Sequence, residues 1–163
     1  MYHSWCHGAP GFLMLFSTLL RLSASPTHPL TLSPALHSKL VGCIQRGADL
    51  VFKEGFLRKG VGNCHGIGGS VYALLAVSEV LDPAGDSNQT CTYFLRATEL
   101  AYLATKYQSF TDSAEMRTPD HPWSLYEGIA GMCCGWGAVL QKLGANGSGN
   151  FRSGMPGYTD IKL

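Results

Sequence analysis

The sequence predicts an all-α protein made of helical-hairpin repeats, with fewer than three full units in its 163 residues. Two observations predict this. The first is a motif of the form x-x-Gly-x-x-Gly that occurs three times. Its copies are Cys6-His7-Gly8-Ala9-Pro10-Gly11, Cys64-His65-Gly66-Ile67-Gly68-Gly69 and Tyr126-Glu127-Gly128-Ile129-Ala130-Gly131, spaced 58 and 62 residues apart. The second is the apolar segment after each copy. The clearer ones have helical periodicity, and no run reads as a strand. A spacing of about 60 residues accommodates two helices and their loops. Such units bury their apolar faces only against neighbours, so the array reads as incomplete.

The first motif opens onto the apolar run that starts at Gly11. That run is too short to span a bilayer, so no transmembrane segment is expected. It resembles the hydrophobic stretch of a signal peptide with Ala24 near a cleavage site, but no basic segment precedes it. We read it as a buried core helix. Pro26, Pro29 and Pro34 punctuate a loop, and residues 23–34 read as an insertion between units. An amphipathic stretch follows from Pro34 to Glu54.

After the second motif, Val71, Leu74, Leu75, Val77 and Leu81 mark one helix face. Asp82-Pro83-Ala84-Gly85-Asp86 marks a loop. Residues 89–107 read as another helix, with Leu95, Leu100, Tyr102 and Leu103 as core candidates. Residues 112–122 form a loop, and Trp123 and Tyr126 are expected in the core. Met132, Trp136, Val139, Leu140 and Leu143 give the last helix its apolar face. Residues 144–163 form a Gly- and Ser-rich tail, ordered by docking.

Only 14% of residues are charged and 45% are hydrophobic, which excludes a disordered chain. The net charge is +1 with no basic block, which argues against nucleic-acid binding. Six cysteines would suit a disulfide framework in a secreted chain. The chain is no small disulfide-dense scaffold, however, and Cys6 and Cys64 both stand in Cys-His-Gly. A reducing, cytoplasmic setting therefore fits better, with Cys43, Cys91 and Cys133 as small buried hydrophobes.

Zinc favours thiolate and imidazole in tetrahedral geometry. Neighbouring residues on a regular helix point about 100° apart. On a turn freed by Gly62, Gly66 and Gly68, Cys64 and His65 are able to face one point. Cys6, on the matching turn of another unit, is the third candidate ligand, and three protein ligands leave a fourth position open. Spacing alone leaves a second reading open: two buried cysteines at helix starts, with two satisfied histidines.

Trp5-Cys6-His7-Gly8-Ala9-Pro10-Gly11 resembles the first zinc motif of lanthionine synthetase C-like (LanC-like) proteins. Gly62-Asn63-Cys64-His65-Gly66 resembles the second. Arg117-Thr118-Pro119-Asp120, followed by Ser124-Leu125-Tyr126-Glu127-Gly128-Ile129-Ala130-Gly131, resembles the family's final signature. The resemblance covers most of the chain. It implies an α/α toroid of seven helical hairpins, of which this chain carries the C-terminal ones. It also implies zinc on Cys6, Cys64 and His65, with His7 not a direct ligand but a residue that orients the loop, supports the ligands from behind or simply packs.

The chemistry implied by the resemblance is thiol addition to dehydroamino acids. Bacterial members use peptide cysteines, and eukaryotic members use glutathione. Lys59 and Arg117 match family residues that contact the tripeptide. Asp120 would position Arg117 or cap a turn, and Glu127 is not assigned as a ligand. The expected partners are glutathione or a dehydroamino-acid-containing peptide. The family's catalytic histidine and its aspartate belong to earlier repeats. No catalytic residue is therefore assigned, and the chain reads as a fragment with an incomplete active site. The alternative is a non-catalytic zinc- and glutathione-binding module that acts through protein partners.

Overall fold

The computed structural model describes residues 4–27, 30–83, 90–144, 152 and 154–158. Among these residues a single 3-10 turn at Trp5–His7 leads into six helices. They are α1 (Ala9–Ala24), α2 (Pro34–Glu54), α3 (Ile67–Leu81), α4 (Thr92–Ala104), the short α5 (Tyr107–Asp112) and α6 (Ile129–Gly144). No strand occurs among the described residues, as the all-α expectation requires. None of these helices is long and apolar enough to cross a membrane.

α3 is the central element. Every residue from Ile67 to Ser78 is buried, and a helix apolar all round has to be enclosed by others. α1, α4, α2 and α6 all pack on it. α1 contributes Leu13, Met14 and Leu20, and α2 contributes Leu40, Ile44, Ala48 and Val51. Pro34 opens α2 rather than extending the loop before it, because the N–H that proline lacks would have no intrahelical acceptor in the first turn. Ser33 caps that end, its Oγ accepting from Leu36 N–H at 3.3 Å. Ser23 and Ala24 belong to α1, so the connection between the helices is shorter than residues 23–34.

Several expected core positions prove exposed. α4 packs through Ala97, Leu100, Ala101 and Ala104, an i, i+3, i+4, i+7 face made mostly of alanine. That face turns Leu95 (56% exposed) and Tyr102 (61%) outward and leaves Leu103 half-buried. On α6, Met132 and Val139 are buried, whereas Leu140 and Leu143 are exposed. Trp136 is half-buried and donates from Nε1 to the Ala101 carbonyl at 2.8 Å, joining α6 to α4. Cys43 and Cys133 are exposed and Cys91 is half-buried, so the cysteines outside the motifs are not the core hydrophobes expected. Trp123 is 78% exposed and Tyr126 43%, so neither is core.

The helix ends remote from the motifs are joined by polar pairs. Arg21 of α1 and Glu79 of α3 form an ion pair at 2.9 Å. Lys142 of α6 donates to Ser78 of α3 and lies 4.9 Å over the Phe94 ring. The Asp82 carboxylate accepts from Tyr93 N–H (3.1 Å) and Phe94 N–H (2.8 Å), which caps α4. Within the tail, Met155 is fully buried and Tyr158 meets Trp5 edge-on at 6.1 Å. Residues 145–151, 153 and 159–163 of that tail lie outside the described residues.

Candidate metal centre and adjoining cavity

The three repeated motifs build one local structure three times. A Cβ at Gly11 would lie 2.3 Å from the Trp5 carbonyl oxygen, at Gly69 2.3 Å from that of Asn63, and at Gly131 2.1 Å from that of Leu125. In each case the oxygen belongs to the residue six positions earlier. A helix therefore starts while the preceding turn folds back over its second glycine, and no side chain fits there. The backbone bonds repeat too. Ile67 N–H donates to Gly60 O at 3.2 Å, and Ile129 N–H donates to Pro122 O at 2.8 Å.

Hydrogen bonds stitch these turns side by side. Trp5 N–H donates to Cys64 O at 3.0 Å, and Cys64 N–H donates to Tyr126 O at 2.7 Å. Three segments distant in sequence are thus fixed at one end of the helices. α1, α3 and α6 run away from it.

The first two turns bring their sulfur and imidazole groups together. Cys6 Sγ lies 3.5 Å from His65 Nε2, and Cys64 Sγ lies 3.9 Å from the same nitrogen. A tetrahedral zinc with Zn–S about 2.3 Å and Zn–N about 2.1 Å sets its sulfur and nitrogen ligands roughly 3.6 Å apart. The observed separations bracket that value. Cys6 is exposed, while Cys64 and His65 are half-buried. Burial pushes the Cys64 thiol from its ordinary 9.0 up to about 11. The Cys6 side chain and the Glu127 carboxylate add to the rise, and a hydrogen bond from the Cys6 backbone opposes it.

His7 stands closer to this group than the sequence suggested. Its ring lies 5.9 Å from that of His65, and Cys6, His7 and His65 offer ligand atoms all within 4.8 Å of one another. Its Nδ1 is 3.4 Å from Ser4 Oγ, a contact that orients the ring.

Lys59 and Arg117 reach the same place by a separate route. Arg117 N–H donates to Arg58 O at 2.7 Å, and Arg58 Nε donates to Glu115 O at 3.0 Å. These bonds tie the loop before the third motif to the loop before the second. Gly60, at φ +128°, makes the turn between them in a conformation that side chains resist. The result is a cavity of about 270 Å³ lined by Lys59, His65, Arg117, Thr118, Pro119, Asp120 and Glu127. That is close to the lower end, about 300 Å³, of small-molecule sites. No hydrogen bond or ion pair joins Asp120 to Arg117 among the described residues, so the positioning role expected of Asp120 is not seen.

Asn63 is the site residue that the sequence reading passed over. It is fully buried, and neither polar atom of its side chain has a hydrogen-bond partner among the described residues. Its Oδ1 would lie 2.6 Å from a Cβ at Gly68 and 2.9 Å from one at Gly131, so it wedges between the second and third helix starts. Its only signal in the sequence was its place before Cys64.

Turns of this kind, presenting cysteine and histidine at the head of a helical-hairpin array, define the class. The chain belongs to the lanthionine synthetase C-like family, whose model matches residues 2–142. Among curated proteins it is similar to the glutathione S-transferase LANCL1 of Danio rerio, with 29% identity over 127 residues. The match covers 78% of this chain and 26% of the relative, so the chain spans about a quarter of that protein's length.

Proposed function

We propose that this chain carries the zinc centre and thiol-binding wall of a LanC-like protein that adds glutathione to dehydroamino acids. Cys6, Cys64 and His65 would hold the metal, and Lys59 and Arg117 would hold the tripeptide's carboxylates. One observation carries the reading: turns 58 residues apart place a Cys6 sulfur 3.5 Å from His65 Nε2, at the edge of a cavity that also holds Lys59 and Arg117. Bound zinc would keep a coordinated thiol deprotonated near neutral pH.

The remaining roles fall to this chain's own groups. A guanidinium fork suits a carboxylate, so Arg117 orients the peptide, with Lys59 as a second cation on the same wall. The overall reaction adds S–H across the C=C bond of a dehydroamino acid. A thioether bond forms at the β carbon and a proton arrives at the α carbon.

All six cysteines are free thiols, which suits a reducing compartment, and we place the protein in the cytoplasm. A second reading, a zinc- and glutathione-binding module without catalysis, draws on the same cavity. Among the described residues its wall has no imidazole other than that of His65, itself a proposed ligand, to serve as acid or base.

Metal analysis tests the centre. The purified chain should carry about one zinc per molecule, and Cys64→Ala should carry none. Equal zinc in both forms, or none in either, defeats the assignment. The chemistry is tested by incubating the zinc-loaded chain with glutathione and a dehydroalanine peptide, followed by mass spectrometry. A thioether adduct supports addition. Glutathione binding without adduct leaves the binding module.

A further inference from the structure

The cavity beside the cysteine turns holds more charge than its two cations. Lys59 and Arg117 share it with Asp120 and Glu127. Among the described residues none of these four enters an ion pair; the pairs present are Arg21–Glu79 and Arg96–Asp49. Opposite charges around one concavity, left unpaired, suit a ligand that is itself zwitterionic. Glutathione has that character, with two carboxylates and one ammonium around a central thiol.

We infer that Glu127 is a specificity-determining residue that accepts the ammonium group of the γ-glutamyl end, so that the cavity selects thiols carrying an amine. This rests on the glutathione reading above and assigns a group that reading left without a partner.

Three observations single out Glu127 over Asp120. Glu127 occupies the repeat position of His7 and His65, the position that faces the shared centre in the other two turns. Its backbone is fixed, with its N–H donating to Ser124 Oγ at 3.1 Å and the next residue, Gly128, donating to Ser124 O at 3.0 Å. It is half-buried, whereas Asp120 is exposed. An exposed carboxylate is screened by water and contributes little to an ion pair, while a half-buried one on a fixed backbone discriminates.

The bland role for Glu127 is electrostatic: a carboxylate just before Ile129 favours the N-terminal end of α6. The two roles differ in what they discriminate. Calorimetry on the zinc-loaded full chain compares glutathione with its des-amino analogue, glutaryl-cysteinyl-glycine. The wild type should prefer glutathione by about tenfold, the scale of one charge-assisted hydrogen bond. Glu127→Gln should bind the two thiols equally, with its affinity for the analogue and its zinc content unchanged. Asp120→Asn should keep the preference.

Equal binding of both thiols by the wild type overturns the inference. So does a preference that survives in Glu127→Gln, or one lost in Asp120→Asn instead. A helix-end role predicts lower thermal stability in Glu127→Gln with the preference intact. If the zinc-loaded wild type binds neither thiol, the glutathione reading falls first and this inference with it.

Discussion

The two ends of the long helices solve the problem of polar groups in opposite ways. At the far end, charges meet partners across the helices: Arg21 with Glu79, Lys142 with Ser78, and Asp82 with the first N–H groups of α4. At the turn end, Lys59, Arg117, Asp120 and Glu127 surround a cavity without pairing among the described residues. The backbone there is the more constrained of the two, held by glycines that admit no side chain and by bonds between successive turns. Rigid backbone with unpaired side chains is the arrangement of a binding site, because preorganised groups lose little on meeting a ligand. Paired charges on helix ends belong to the architecture.

If this contrast is right, changes at the turn end separate by type. Gly131→Ala should be the most damaging to the fold, because its Cβ would meet the Leu125 carbonyl at 2.1 Å and the buried Asn63 side chain at 2.9 Å. We expect a loss of roughly 1–3 kcal/mol, the usual cost of forcing extra atoms into packed structure. Urea unfolding measures it, and a stability within 0.5 kcal/mol of wild type would mean that the turn backbone is soft. Arg117→Ala should do the reverse. Its side chain is exposed, so thermal stability and zinc content should stay constant while glutathione affinity falls about tenfold. Unchanged affinity by calorimetry would make Arg117 an ordinary surface cation.

The same contrast explains what was legible in the sequence. The starts of α1, α3 and α6 were readable because each follows a glycine motif, and α2 begins and ends at the residues expected, Pro34 and Glu54. The meeting of Cys6 with Cys64 and His65 was readable because one motif recurs, and repeated sequence in a hairpin array stacks in space. Which face of α4 is buried was not readable. Large side chains drew attention to Leu95 and Tyr102, but close approach to α3 selects the smaller stripe of Ala97, Ala101 and Ala104. Asn63 and the far-end pairs were equally hidden, since both depend on contacts between elements rather than on local pattern.

Two smaller effects sharpen the comparison along α6 itself. Gly137 lies on the same helix as Gly131, yet among the described residues nothing beyond the helix itself lies within 4 Å of a Cβ placed there. Gly137→Ala should therefore stabilise the chain by about 0.5–1 kcal/mol, through helix propensity alone. Opposite signs for one substitution six residues apart would locate the constraint at the turn, and a loss at Gly137 would remove that distinction.

The smallest effect belongs to Lys142, at the far end, and it depends on pH. Burial lowers its pKa below the ordinary 10.5, against the opposing charges of Asp82, Glu79 and Cys91. The folded chain thus releases this proton at a lower pH than the unfolded chain does. Between the folded value and 10.5 the unfolded state binds more protons, so stability attributable to this site rises with pH. Below that window the cost of burying the charge is present in full. Lys142→Met keeps the length of the side chain and removes the charge. Its stability relative to wild type should therefore be best near neutral pH and should worsen as pH approaches 10.5, followed by urea unfolding at several pH values. A wild-type-to-variant difference that stays level across that range would show that the ammonium is solvated, and that pairing at this end contributes nothing through burial.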